Sequence, residues 1–507
     1  MGGKFVTGSD NSSNNNDNAN TEKIAVHIGV FFDGTGNSMM NIRERNEYLS
    51  RGISDDKRSK YYKKNDSHTN GFSNVANIYT IYKNDNKKIF SVYVEGIGTA
   101  PRPIVDPTEY KDDYFKGKGS YSDSTLGQAI GFGAYGVNAK IERACKKITA
   151  ILQKLKEEAT TPVEFELTMD VFGFSRGAAA ARSFTSRIKS PKGDTTNLKK
   201  AFAAAMIASS YNTVLTPVIT QETNYKVCLM DNFKPLDIKI SGNIKVDFLG
   251  LFDTVSSYGL KFDDDVKELA LTIDTTVVSK VYQICAADEY RKNFSLTLIN
   301  DDKRSKIIPG AHSDIGGGYS DNMEEQFIMY NNIHNAIYTS PSSVYMPLMT
   351  YQTPMVEHIY AGNKKREELI RDGWFNDDDI ARGSRFVRNS YCHIPLNIML
   401  EELGSDNLEN KSEFDISKEE EPIKKFYDVA KGKDLYNFVK ENGKTRIKRN
   451  STPMDEALMK TIRHEYLHLS VKGEPLHKVF TSPGLLMDKR FVNAACPNNI
   501  RIIIENA

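Results

Sequence analysis

Short apolar runs bounded by turn-forming residues alternate with helical periodicity along the first 320 residues of the chain. The clearest runs are almost continuously apolar, which is typical of strands buried on both faces of a parallel sheet. They cover residues 24–32, 88–94, 163–172 and 245–252, and a further run at 306–309 leads to another strand end. This alternation predicts an α/β fold with a mostly parallel central sheet flanked by helices.

Two helices are predicted between these strands. The first runs from Leu126 to about Lys156, and the second, which is rich in alanine, from Phe174 to about Ile188. Residues 43–70 are charged and polar, which favours a surface loop. Residues 320–460 are polar, tyrosine-rich and irregular in pattern, which indicates a large inserted lid or membrane-docking module.

These patterns divide the chain into four parts. An asparagine- and serine-rich beginning predicts a disordered tail, and apolar segments near the end predict a return to the core. The parts are a tail at 1–22, an α/β core at 23–320, the insertion at 321–458, and a C-terminal segment at 459–507.

Composition removes several classes of function. The 507-residue chain is 39% hydrophobic and carries a net charge of +1, so no overall field attracts nucleic acid. We find neither the apolar stretch of about 20 residues that a membrane span needs nor the apolar core of a signal peptide. The five cysteines are scattered, which predicts reduced thiols and synthesis in a cytoplasm.

The segment Gly173–Gly177 reads Gly-Phe-Ser-Arg-Gly and matches the G-x-S-x-G pattern of a nucleophile elbow. The pattern alone is weak, but a strand pattern precedes it and a helix of small residues follows it, as an elbow requires. Ser175 is therefore the candidate nucleophile. The backbone N–H of Arg176, at the start of the helix, is the first candidate oxyanion donor.

A serine nucleophile needs a base, and the base needs an acid that orients it. Asp253 follows the strand at 245–252 directly and is the preferred acid, with Asp247 as the alternative. His312 lies in a glycine-rich loop after an apolar run and is the preferred base. This context is absent at His334, His358, His393 and His477, which we interpret as structural or surface residues.

The second oxyanion donor is expected from a loop after another strand. The loop Asp33–Asn37 follows the first strand, and its glycines allow a backbone N–H of Gly34 or Thr35 to approach a substrate carbonyl. Its spacing matches neither phosphate-binding glycine motif, so a phosphate site is the less favoured alternative.

A second motif suggests different chemistry. Residues His464–His468 read His-Glu-Tyr-Leu-His, which matches the H-E-x-x-H pattern of zinc hydrolases when it lies on a helix. The residues after His468 look extended, and the sequence shows no clear third ligand. We therefore expect no metal site and no cofactor, and keep zinc binding by His464 and His468 as an alternative.

Taken in order, eight motifs resemble an α/β-hydrolase family that includes the first subfamily of type VI secretion lipase effectors. The resemblance covers about residues 24–320, and more weakly 391–395 and 466–470. The motifs are Phe31–Asn37, Asn74–Asn77, Glu95–Thr99, Gly127–Gly133, Gly173–Ala178, Phe252–Val255, Ala287–Glu289 and Gly310–Tyr319.

The resemblance implies a phospholipase of A1 or A2 type, which hydrolyses an acyl ester of glycerophospholipids with a triad of Ser175, Asp253 and His312. It also implies synthesis in a bacterial cytoplasm without a signal peptide and delivery by a spike protein into a rival cell's periplasm. A cognate immunity protein would protect the producer. A non-catalytic binding or cargo module of the secretion apparatus is the other alternative.

Residues 423–449 interleave nine basic residues with four aromatic ones. This pattern suggests docking on anionic lipid, where each basic residue contributes roughly 1 kcal/mol. A solvated charged face is the alternative interpretation.

Overall fold

The computed structural model describes most of the predicted core and parts of the rest of the chain. The described residues are 21–52, 67–100, 123, 135–189, 228–256, 266–289, 291, 293–299, 304–326, 370–376, 378–379, 384–451, 454–469, 501 and 503–504. Almost all of the predicted tail at 1–22 lies outside them, and Glu22 already belongs to the first strand.

Twelve strands lie within the described residues. They are β1 (Glu22–Phe32), β2 (Ile89–Val94), β3 (Val163–Phe174), β4 (Lys245–Phe252), β5 (Val278–Ala286), β6 (Leu296–Thr297), β7 (Ser305–Ile308), β8 (Met323–Gln326), β9 (Ser384–Val387), β10 (Tyr436–Glu441), β11 (Lys444–Arg449) and β12 (Ile503–Ile504).

The same part of the chain forms ten α-helices. They are α1 (Met39–Ser50), α2 (Asn74–Ile81), α3 (Val137–Glu158), α4 (Arg176–Ser186), α5 (Leu229–Phe233), α6 (Val266–Leu269), α7 (His312–Gly316), α8 (His393–Leu403), α9 (Glu421–Gly432) and α10 (Glu456–Glu465). Short 3₁₀ helices cover Ser67–Thr69, Lys234–Leu236, Ser390–Cys392, Lys411–Phe414 and Ile416–Lys418.

The central sheet has six strands in the order β2-β1-β3-β4-β5-β7, and every neighbouring pair is parallel. This confirms the predicted α/β fold with a mostly parallel sheet. The predicted strands agree with the observed ones to within two residues at each end. Strand β5 was not predicted, because Lys280 and Gln283 interrupt its apolar pattern.

Helix α1 was not predicted, and its second part, residues 43–50, belongs to the predicted surface loop at 43–70. The side chain of Ser38 caps its first turn by accepting from the backbone N–H of Asn41. Helix α3 begins at Val137; the part of the predicted helix at 126–134 lies outside the described residues.

Two apolar cores cover the two faces of the sheet. Helices α3 and α4 pack on one face with side chains such as Ile148 and Phe184. On the other face, α2 packs together with the helices α8, α9 and α10 around Phe172 and Phe252. Part of the predicted insertion therefore forms regular helices that share a core with the sheet.

The charged segment at 423–449 consists of helix α9 and the antiparallel hairpin of β10 and β11. Phe426 and Tyr427 are buried, while Tyr436 and Phe438 pack against a small apolar cluster that includes Ile307. Its aromatic side chains are therefore used in packing. Several cations of the segment pair with carboxylates, which favours the solvated charged face; these pairs are Lys424–Glu421, Lys431–Glu401, Lys448–Glu441 and Arg449–Glu456.

Among the helices that the structure describes, none is long and apolar enough to cross a membrane.

Candidate functional site

The sharp turn after β3 has the geometry of a nucleophile elbow. Ser175 has a φ of 60° and a ψ of −130°, a strained backbone conformation for a residue with a side chain. Helix α4 begins at the next residue. A Cβ at Gly173 would lie 2.5 Å from the Cα of Ala178, and one at Gly177 would lie 2.2 Å from the carbonyl oxygen of Asp33. Both positions therefore require glycine, as the motif predicts.

Asp253 stands one strand away from the elbow, directly after β4. The backbone N–H of Ser175 donates to the carbonyl of Phe252 at 3.0 Å, and the N–H of Val255 donates to the carbonyl of Ser175 at 3.3 Å. Asp253 has a φ of 43°, so the serine and the acid both lie in strained turns. Two strand ends joined in this way hold Ser175 and Asp253 at the same edge of the sheet.

His312 begins helix α7 shortly after β7 and contacts the acid. Its Nδ1 lies 2.5 Å from Oδ2 of Asp253, and both side chains are almost completely buried. Its Nε2 is buried and has no hydrogen-bond partner among the described residues. The ring of Phe174, the residue before the candidate nucleophile, lies 4.7 Å from the imidazole centre. The structure thus brings the predicted acid and base together beside the elbow, with one ring nitrogen available.

A residue that the sequence did not suggest completes the surroundings of the acid. Arg501 binds Asp253 with both terminal nitrogens at 2.7 Å, and the backbone N–H of Ala286 donates to Oδ1 at 2.9 Å. Burial raises the pKa of Asp253, but the charge of Arg501 and the hydrogen bonds from His312 and Arg501 outweigh burial and lower it. Asp253 is therefore ionised throughout the physiological pH range.

A second ion pair supports the histidine from the other side. Glu289 accepts from the backbone N–H of His312 at 3.2 Å and forms a two-pronged ion pair with Arg291. The ring of Phe294 lies edge-on to the imidazole. Burial lowers the pKa of His312 and outweighs the opposing effect of Asp253. The ring is therefore neutral near pH 7, as a general base must be.

The loop after β1 lies against the elbow. Thr35 accepts a hydrogen bond from Nε of Arg176 at 2.9 Å. The backbone N–H of Gly34 already donates to the side chain of its neighbour Asp33 at 2.7 Å. The backbone N–H of Arg176 is the first of a helix, and the first N–H groups of a helix have no acceptors within that helix. Of the two donors predicted in this loop, the geometry favours Thr35.

Asp33 anchors this loop. Its carboxylate accepts from the hydroxyl of Ser73 at 2.5 Å and from the hydroxyl of Tyr93. Burial raises the pKa of Asp33 to about 6, against the effect of these hydrogen bonds. The sequence placed Asp33 in the loop but gave no sign of these two partners, which come from other elements.

The remaining candidates lie elsewhere. Asp247 is half exposed on β4, six residues before Asp253, and its Oδ2 lies 3.9 Å from Nδ1 of His27. His393 pairs with Glu419 at 2.6 Å. His334, His358 and His477 lie outside the described residues.

The two histidines of the H-E-x-x-H motif bind different carboxylates. His464, near the end of α10, contacts Asp379 at 2.6 Å, whereas His468 lies beyond the helix and contacts Asp314 at 2.7 Å. Zinc binding at this motif requires both histidines on one helical face. Within the described part of the chain, no group of three or more histidine, cysteine or acidic side chains could hold a metal ion.

Comparisons with known proteins place these features in a family. The model of the family described as "T6SS, Phospholipase effector Tle1-like, catalytic domain" matches residues 27–339, more than half of the chain. This range includes Ser175, Asp253 and His312. No curated protein matches.

A solved structure, described as "Structure of the Tle1 effector bound to the VgrG spike from the Type 6 secretion system", has the same fold. Its identity to this chain is 20% and the TM-score is 0.52; the match covers 96% of this chain and 94% of the other. An uncharacterized protein from Pseudomonas aeruginosa also matches at 19% identity, over 59% of this chain and 42% of the other, with a TM-score of 0.29, which is too low to indicate a shared fold. Because the family model spans most of the sheet and the elbow, this chain belongs to the family of type VI secretion phospholipase effectors with a Tle1-like catalytic domain.

Proposed function

We propose that this effector hydrolyses acyl esters of glycerophospholipids through a triad of Ser175, His312 and Asp253. The observation that carries the proposal is the buried contact between Asp253 and His312 beside a strained serine turn. A carboxylate on Nδ1 fixes the tautomer that leaves Nε2 able to accept a proton. The family supplies the substrate class, since its members are phospholipase effectors.

In the proposed mechanism, Nε2 of His312 takes the proton of the Ser175 hydroxyl while Oγ attacks the ester carbonyl carbon. The negative charge that develops on the carbonyl oxygen is stabilised by the N–H groups of Arg176 and Thr35. His312 then returns the proton to the departing lysophospholipid oxygen, which leaves an acyl-serine. Water, deprotonated by the same Nε2, attacks this ester, and the fatty acid is released as Oγ regains its proton.

The proposed context is attack on a competing bacterium. The structurally similar effector was solved bound to a spike protein, so we propose that a spike also delivers this chain to the periplasm of the target cell. A cognate immunity protein in the producer is the corresponding expectation. Co-purification with the spike protein of the same apparatus would test the delivery partner.

The catalytic proposal is tested with Ser175→Ala and the matched control Ser186→Ala. Ser186 is also buried on α4, but its hydroxyl donates to the carbonyl of Ser183, one turn back. On vesicles of phosphatidylethanolamine and phosphatidylglycerol, we expect Ser175→Ala to lose about 10⁴-fold in rate or more. Ser186→Ala should stay within about threefold of wild type, because its hydrogen bond is local and outside the site.

Release of fatty acid and lysophospholipid, measured by mass spectrometry, is the readout. A folded Ser175→Ala protein that keeps more than a tenth of the wild-type rate would contradict the serine mechanism. A wild-type protein that releases no fatty acid from any phospholipid would contradict the substrate assignment.

A further inference from the structure

Arg501 reaches the site from a distant part of the chain. It lies two residues before β12, which pairs in parallel with β6, and the N–H of Leu298 donates to Ile504 at 3.0 Å. Its side chain is buried at the ends of β4 and β5, where it binds Asp253 and the carbonyl of Ala286. This position is therefore fixed by the pairing of a strand with β6.

Every donor position of this guanidinium is satisfied. Nη1 donates to Oδ1 of Asp253 and to the carbonyl of Ala286 at 2.9 Å, and Nη2 donates to Oδ2 of Asp253 and to the carbonyl of Phe294 at 3.0 Å. Nε donates to the same carbonyl of Phe294 at 3.1 Å. A planar fork paired with both carboxylate oxygens fixes the orientation of Asp253 as well as its charge.

This arrangement determines which charged groups surround His312. Its Nδ1 and one nitrogen of Arg501 share the same oxygen of Asp253, so the cation lies one hydrogen bond beyond the acid. On the other side, Glu289 is compensated by Arg291. On its own helix, Asp314 contacts His468 instead. His312 therefore contacts two ion pairs, Asp253–Arg501 through its ring and Glu289–Arg291 through its backbone N–H.

We propose that Arg501 is a positioning residue that holds Asp253 for His312 and extends the activity of the enzyme to lower pH. This proposal rests on the proposed triad. A carboxylate without its counter-ion attracts a proton onto the imidazole more strongly. Removing the charge of Arg501 would then keep His312 protonated to a higher pH, and protonated His312 cannot act as a base.

The test compares full-length variants at position 501 across pH. Arg501→Met and Arg501→Gln remove the charge, and Gln keeps a hydrogen-bond donor in case Met fails to fold. Arg501→Lys keeps the charge but loses the two-pronged geometry. The matched control is Arg182→Met: Arg182 is equally buried and binds the carbonyls of Leu271, Thr297 and Leu298, with no carboxylate among these partners.

For the wild type, the acid limb of kcat/KM on a soluble ester should lie below the ordinary histidine value of 6.5. The neutral variants should move this limb upward by about one pH unit, so their loss of rate is greatest at low pH. Arg501→Lys should keep the wild-type limb and lose rate evenly at all pH values. Arg182→Met should leave the midpoint unchanged.

A ring titration of His312 by NMR in the same proteins measures the same midpoint without any hydrolysis, so it remains informative if the proposed activity fails. An upward shift in the neutral variants, absent in Arg501→Lys and Arg182→Met, supports the proposal. Equal midpoints in wild type and a folded neutral variant would overturn it, as would the same shift in Arg182→Met.

Discussion

Within the described part of the chain, helix α7 contributes one residue to each of two buried carboxylate–imidazole pairs. Asp253 and His312 form one, with an oxygen–nitrogen distance of 2.5 Å, and Asp314 and His468 form the other, at 2.7 Å. The two pairs look alike by distance and burial. They differ in what surrounds the acid, and that difference decides which pair is suited to catalysis.

Among the described residues, the acid of the first pair is hydrogen-bonded to an arginine, whereas the acid of the second pair is not. Arg501 binds both oxygens of Asp253 and lowers its pKa. Among the residues described, Asp314 accepts from the backbone N–H groups of Ala311 and His468 and forms a hydrogen bond with Nδ1 of the imidazole. Burial raises the pKa of Asp314 well above its ordinary value, despite these hydrogen bonds.

The partners of the two histidines also differ. The ring of His468 stacks on Tyr319, with ring centres 3.7 Å apart, and the pair ties α7 to the segment after α10. His312 instead presents Nε2 beside the serine turn. The same two residue types therefore form a candidate catalytic base in one place and a packing contact in the other.

Substituting the acid of each pair with asparagine should separate the two roles. Asp253→Asn leaves Arg501 buried without its counter-ion and allows the wrong imidazole tautomer. We expect kcat to fall by about 10⁴-fold and the free energy of unfolding to fall by roughly 3–5 kcal/mol. Ester hydrolysis and chemical denaturation measure the two effects. A folded Asp253→Asn protein with a rate near wild type would remove Asp253 from the triad.

Asp314→Asn should be much milder, because burial raises the pKa of this carboxyl and an amide is uncharged like the protonated form that burial favours. Its oxygen can accept from Ala311 and His468 while its nitrogen donates to Nδ1 of the ring. We expect activity within about threefold of wild type and a midpoint of thermal unfolding within about 2 °C, the shift that roughly 1–2 kcal/mol gives a chain of 507 residues.

The pH dependence of stability sharpens this expectation. The folded-state pKa of Asp314 lies above the unfolded value near 3.8, so the folded state binds more protons between the two. This carboxyl therefore lowers wild-type stability as pH rises above about 4. Asp314→Asn cannot titrate, and its stability should fall less over that range in denaturation curves. A steeper fall than wild type would show that Asp314 is ionised in the folded protein.

Local sequence patterns predicted most of the candidate site. Ser175 and Asp253 each follow an apolar run that ends at the carboxyl edge of the sheet, and His312 follows β7 in a glycine-rich loop. Such signals need only neighbouring residues. Arg501 gives none, since it is 248 positions from Asp253 and its role depends on the pairing of β12 with β6.

The described part of the region after residue 320 is more regular than its sequence pattern predicted. Its charge content suggested an irregular insertion, yet α9 carries an apolar stripe at helical spacing. The stripe consists of Ile423, Phe426, Tyr427 and Ala430, all buried against the core. That signal was present in the sequence. The antiparallel pairing of β8 with β9 could not be predicted from local sequence, because it joins distant segments of the chain.

The most direct test of the central claim is covalent labelling by a fluorophosphonate, followed by identification of the modified peptide. We expect the wild type to be labelled at Ser175. We expect no label in Ser175→Ala, and labelling at least about 10³-fold slower in His312→Gln, because the base that activates the hydroxyl is gone. Labelling of another serine, or equal rates in His312→Gln and wild type, would contradict the proposed roles of Ser175 and His312.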